Sequence, residues 1–201
     1  MPYRPEHKAE TRARIVECAR RLFNRRGFSE VSIEEIMAEA GLTRGGFYHH
    51  FKTKDALYSE AVNCHARSNP MDKKDGGPID LTAPQPSIAS QIVNAYLSRQ
   101  HLERVEAQCP LIALPSDVAR AGPAARAAYQ DQLERLIGLF EAGLAPNDGD
   151  RRDKAMTMAA LCVGGMILAR TIDDEALGER LREAARRLAL EIGDLDREQQ
   201  D

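Results

Sequence analysis

Much that would point to catalysis, to a membrane or to a secreted framework is missing from this chain. Its four cysteines, Cys18, Cys64, Cys109 and Cys162, lie far apart and form no Cys-x-x-Cys pair. A disulfide scaffold and a structural zinc site are therefore not expected, and a reduced, cytoplasmic setting is. The longest nearly apolar run, Met156 to Ala169, has about 14 residues and suits a buried helix better than a bilayer span. The N-terminus, MPYRPEHKAETR, is charged throughout, so no secretory signal is expected. No nucleophile elbow, phosphate loop or metal-spaced His/Glu set occurs. No catalytic residue, metal or cofactor can be named, and an enzyme is not expected. Sustained two-residue alternation is also missing, which leaves an all-α fold.

What is present is uneven charge. Residues 1–54 carry eleven Lys/Arg against seven Asp/Glu, a surplus of +4, while the rest carries seventeen against twenty-four, or −7. A basic head on an acidic body points to a polyanionic partner at one end. A protein that coats DNA without regard to sequence is disfavoured by the total of −3.

Helical periodicity runs through the whole chain. Ile15, Cys18, Ala19, Leu22 and Phe23 recur on one face of a helix over about 9–26, and Gly27 is a natural left-handed stop. Ser32 with Glu35 three residues on is a capping-box pattern for a second, two-turn helix lined by Ile33, Ile36, Met37 and Ala40. After Gly41, Thr43 is placed to cap a third short helix, Arg44 to about His50, and Thr53 to cap a fourth, from Lys54 to about Arg67. Residues 68–86 hold four prolines and read as a loop. Further helices are expected at about 87–104, 124–145, 151–171 and 175–192, with a short segment over 109–121 that Pro115 should break. About nine helices result.

Two short helices joined by a glycine-centred turn make a helix-turn-helix. Its second helix enters the DNA major groove by its N-terminal residues. That placement explains the stretch GLTRGGFYHHFKTKDAL. Gly45 and Gly46 weaken a helix by roughly 1 kcal/mol each, but let its backbone approach bases and phosphates. Phe47 and Phe51, four apart, can anchor it, while Tyr48 lies on another face. Arg44 can reach guanine O6 and N7, and Lys52 and Lys54 are placed for the backbone. A metal site at His49–His50 lacks further ligands at fitting spacing. Arg4 and Lys8 form an arm that could reach a groove or phosphates.

Residues 11 to 57, I-V-E-C-A-R-R-L-F-N-R-R-G-F and then S-I-E-E-I-M-A-E-A-G-L-T-R-G-G-F-Y-H-H-F-K-T-K-D-A-L, resemble the DNA-binding domain of tetracycline-repressor-type transcriptional regulators. The match covers about a quarter of the chain and keeps its spacing across four helices. The resemblance implies a helix-turn-helix domain over 1–53 and a helical ligand-binding and dimerisation domain over 54–201. It implies phosphate contacts by Ser32, Thr43, Tyr48, Lys52 and Lys54, and base or groove contacts around Arg44, Gly45 and His49. The expected partners are double-stranded DNA with a roughly palindromic operator, a small-molecule effector and a second copy of the chain.

In the body, the helix over 151–171 is apolar nearly all round, and Leu177, Leu181, Ala184, Ala185, Leu188 and Ile192 stripe the next one. These two helices are expected to form a four-helix homodimer interface, where the family also places it; otherwise they complete one subunit's core. Tyr96, His101, Cys109, Tyr129, Phe140 and Met166 are candidate effector-lining residues, mostly apolar with a few polar tips. Cys109 opens C-P-L-I-A-L-P-S-D-V-A-R. It reads either as a small buried hydrophobe or as a reactive thiolate at a helix start. The expected function is a repressor released by a small effector; the alternative is a redox- or electrophile-sensing regulator switched through Cys109.

Overall fold

The computed structural model describes residues 5–64, 79–80, 82–145 and 149–195. The described residues are helical and contain no extended strand: α1 (Pro5–Glu30), α2 (Ile33–Glu39), a 3-10 segment (Arg44–His49), α3 (Lys54–Cys64), α4 (Gln85–Tyr96), α5 (Arg99–Glu103), α6 (Pro110–Ala113), α7 (Pro115–Arg120), α8 (Pro123–Gly143), α9 (Arg151–Thr171) and α10 (Glu175–Ile192). Most of the expected 68–86 loop, and Arg4 of the N-terminal arm, lie outside the described residues.

Two compact units divide the chain. One holds the described residues up to Cys64 with Cys109–Asp131, and the other holds those from Ile79 to Gln108 and from Gln132 to Leu195. The first unit therefore takes in more than the 1–53 head. Leu57, Tyr58, Ala61 and Val62 of α3, Leu114 and Val118 around α7, and Ala125 and Ala128 of α8 are buried in one core with Phe23, Ile36, Met37, Phe47 and Phe51. Burial of that apolar surface is what recruits a chain-distant segment.

Local signals account for most of this unit. Gly27 sits at φ +79°, ψ 169°, a conformation open almost solely to glycine, and it breaks α1 there. The capping box forms in full: Ser32 Oγ accepts from Glu35 N at 3.1 Å, and Ser32 N donates to Glu35 Oε2 at 2.8 Å. Thr53 Oγ1 caps α3 by accepting from Ala56 N at 3.1 Å. Two expectations are corrected. The third helix is a 3-10 turn, with Gly46 N donating to Thr43 O and His50 N to Phe47 O. Six residues with two glycines gain too little to hold an α-helix. Thr43 occupies its N-cap position in an extended conformation, but its side chain makes no capping bond.

In the second unit the expected 87–104 helix is two, α4 and α5. Ser98 turns extended, accepts from His101 N at 3.1 Å and starts α5 anew. The central pair, α9 and α10, packs closely because Gly165 lacks a side chain; a Cβ there would lie 2.7 Å from that of Ala185. Arg182, buried on α10, donates to Leu97 O just past the end of α4 and pairs with Glu179. Arg186 adds a 3.0 Å bond to Asn94 Oδ1 on α4.

Candidate nucleic-acid interface

The 3-10 segment is seated by its rings. Phe47 and Phe51 are buried, with centroids 5.7 Å apart, and anchor it against α2 and the core. Tyr48 stands edge-on to Phe47 and is 60% exposed. Arg12 of α1 clamps the segment's end: its guanidinium lies 4.0 Å over the Phe51 ring, donates to His50 O and pairs with Glu60 of α3. Sequence reading did not single out Arg12, because its partners are 38 and 48 residues away.

Of the eight residues assigned to DNA contact, six lie at the surface around this segment: Thr43, Arg44, Gly45, Tyr48, His49 and Lys52 are all exposed. The Arg44 guanidinium pairs with Glu34 of α2. Two others are engaged by the fold. The Ser32 hydroxyl accepts from Glu35 N and donates to Glu35 Oε2 at 2.8 Å, so a phosphate would compete with the capping box. Lys54 turns inward and donates to Phe28 O, with its ammonium 4.2 Å from the centre of the Phe28 ring. Desolvation there lowers its pKa. Phe28 is held from the other side too, its N–H donating to Asp117 Oδ2 of α7 at 3.1 Å. Asp117 is a residue for which the local sequence gave no signal.

The two histidines differ. His49 is exposed, whereas His50 is half-buried. Burial, and then the positive charges of Lys8 and Arg12, hold the His50 pKa below its ordinary value. The half-buried His50 is thereby disfavoured as a positive charge beside Arg44 and Lys52.

Residues 15–61 match the profile of bacterial regulatory proteins of the tetR family. The match is to the helix-turn-helix head, about a quarter of the chain. Relatives of this tetR-type head include the HTH-type transcriptional regulator YerO of Bacillus subtilis, 44% identical over 77 residues that make up 38% of this chain and 26% of that protein. Another is the HTH-type transcriptional regulator AcrR of Shigella flexneri, 51% identical over 51 residues, 25% of this chain and 24% of that one. The chain thus covers about a quarter of these curated relatives' own length. Beyond the head the likeness is one of fold. The reduced form of E. coli NemR superposes with a TM-score of 0.69 at 19% identity, over 90% of this chain and 96% of that one.

The residues expected to line an effector site fall in both units. Tyr96, His101, Phe140 and Met166 are buried in the second, and Cys109 and Tyr129 belong to the first. His101 Nδ1 lies 2.7 Å from Tyr96 O, and the two rings meet edge-to-face at 5.2 Å. A carbonyl only accepts, so Nδ1 carries the proton and Nε2 keeps its lone pair. Burial lowers the His101 pKa, opposed by that bond. Gln108, directly before Cys109 in the chain, is fully buried. Its amide donates to His101 O and Leu102 O at 3.1 Å, and its carbonyl accepts from Arg170 Nη1 at 2.8 Å. Tyr129 is half-buried and donates to Leu111 O at 2.9 Å; burial pushes its hydroxyl up to about 12. Cys109 is only 5% exposed.

Proposed function

We propose that the chain is a homodimeric, sequence-specific DNA-binding regulator of transcription, acting in the cytoplasm as a repressor that a small effector releases. The observation that carries this reading is the exposed row Arg44, Tyr48, His49 and Lys52 on a short segment whose Phe47 and Phe51 are buried. Side chains able to reach base edges and phosphates are thereby displayed on a rigid seat. The tetR-type head supports the same reading. No helix among the described residues is long and apolar enough to cross a membrane.

Dimerisation is supported by α9 and α10. Met156, Leu168, Leu177 and Leu188 are large apolar side chains left 42 to 53% exposed on these two helices. Of the α10 stripe, Leu177, Ala184 and Leu188 are exposed and Leu181 and Ile192 half-buried, whereas Ala185 is buried. Apolar surface of this kind marks an interface. Two heads would then enter successive major grooves about 34–36 Å apart, and the operator would be roughly palindromic.

Effector release needs differential binding: about 2.7 kcal/mol in favour of the released form lowers operator affinity a hundredfold. Buried His101 and Gln108, with half-buried Arg170 donating to Gln108, support an effector site in the second unit. The Cys109 switch is the less favoured mechanism, because an oxidant must reach a thiol that the fold buries.

Selection of bound duplexes from a random pool tests the reading. It predicts enrichment of a two-half-site palindrome, and a pool that stays random through the rounds would reject it. A small-molecule panel scored against the selected duplex should contain compounds that lower binding; compounds that only strengthen it would make the effector a co-repressor.

A further inference from the structure

The first turn of α2 carries two carboxylates, Glu34 and Glu35, with different engagements. Glu35 closes the capping box and accepts from Arg26 Nη1 at 2.6 Å. Glu34 has no part in the box; its carboxylate pairs with Arg44, the first residue of the recognition segment. The two side chains are 52% and 63% exposed, so the pair adds little to stability. Its place matters more. An acidic residue stands on the one surface where the chain otherwise gathers Arg44, Lys52 and His49, and where a polyanion is expected to land.

The next two residues sharpen the point. Gly45 and Gly46 follow Arg44, and a Cβ at Gly45 would meet nothing within 4 Å among the described residues. Neither glycine has a side chain to pack on the long arginine, which by itself samples many rotamers. The ion pair to Glu34 supplies the missing restraint. One guanidinium nitrogen, Nη1, faces the carboxylate. The fork has five N–H donors, so it can still bond guanine O6 and N7.

We infer that Glu34 sets specificity: it aims Arg44 at a guanine and lowers the affinity of the same face for DNA of any other sequence. This inference rests on the proposed DNA-binding function. A carboxylate on the docking face opposes the sequence-independent attraction to phosphates, which governs non-specific binding. At the operator that repulsion is offset, because a pre-aimed arginine forms its bidentate contact with less loss of freedom. In the guanine contact Glu34 acts through Arg44 and is a positioning residue.

The test uses the full-length protein, the duplex recovered by selection and a shuffled duplex of equal length. Wild type, Glu34→Gln, Arg44→Ala and the double variant are titrated at several salt concentrations. Glu34→Gln should bind the shuffled duplex about 3- to 10-fold more tightly and the selected one no better, with a shallower penalty for replacing the guanine. On the selected duplex the double variant should show the Arg44→Ala loss alone, on the shuffled duplex it should bind more tightly than Arg44→Ala, and melting temperatures should not move. If Glu34→Gln tightens both duplexes equally, or changes neither, Glu34 sets no specificity and the inference is overturned. If wild type fails to separate the two duplexes, the DNA-binding reading itself fails, and the inference with it.

Discussion

Replacing Gly27 by alanine should destabilise the head out of proportion to one methyl group. The residue sits at φ +79°, ψ 169°, and an added Cβ would lie 2.9 Å from Asp117 Oδ2. Forcing an L-residue into that region costs of order 1–3 kcal/mol. The same Cβ pushes on the carboxylate that accepts from Phe28 N, and weakening that half-buried bond adds about 1 kcal/mol. Lower entropy of the unfolded chain returns about 0.4–1 kcal/mol. The net loss is about 1–3.5 kcal/mol, or roughly 2–14 °C in melting temperature for a chain of this size. Urea and thermal unfolding followed by circular dichroism measure it. Gly45→Ala is the control, since its Cβ meets nothing within 4 Å and its backbone is not among the positive-φ glycines. It should leave stability unchanged or raise it by up to about 1 kcal/mol. Asp117→Ala alone should lose only the hydrogen bond, about 1 kcal/mol. A Gly27→Ala change within about 0.5 kcal/mol of wild type would refute the reasoning, because that is the ordinary range of a surface substitution.

Other perturbations separate binding from folding. Tyr48→Phe removes an exposed hydroxyl assigned to a phosphate, so operator affinity should fall about fivefold, near 1 kcal/mol, with the melting temperature unchanged; equal affinity would remove Tyr48 from the interface. The Glu35 carboxylate is held down to about 2, first by the Ser32 backbone N–H and then by Arg26. Its folded value lies below the ordinary 4.5, so its stabilisation is present above that pH and is lost as pH falls toward about 2. Glu35→Gln should flatten the acid limb of a melting-temperature profile, and an unaltered limb would contradict the capping-box assignment. Leu177→Glu with Leu188→Glu places charge on the exposed α10 stripe. Wild type should sediment at twice its 22.3 kDa chain mass and the double variant as a folded monomer with weakened operator binding; a variant that remains dimeric would move the interface elsewhere.

How far the sequence disclosed this molecule depends on distance along the chain. Most signals closed within a turn or two read correctly, among them Ser32 with Glu35, Thr53 with Ala56, the stop at Gly27 and the Phe47–Phe51 pair, but not the Thr43 cap. Roles fixed by remote partners did not. Lys54 is drawn to a carbonyl 26 residues back, and Asp117 meets Phe28 across 89 residues. No pattern in either segment announces that. The α4–α5 break was hidden because Ser98 restarts a helix without the glycine or proline that usually punctuates one. Residues 109–131 read as part of the body, yet Leu114, Val118, Ala125 and Ala128 are buried in the core of the first unit. Periodicity shows that a face is apolar and is silent on what will cover it.

The central claim is that this face reads sequence. It is tested most directly by titrating the reduced, full-length protein against a labelled duplex carrying the selected palindrome, at about 0.15 M salt, with a shuffled duplex of equal length as competitor. The account predicts nanomolar binding that the shuffled duplex displaces only at about a thousandfold or greater excess. Displacement at equal concentration would mean that the exposed residues around Arg44 hold phosphates without reading bases, and would contradict the account.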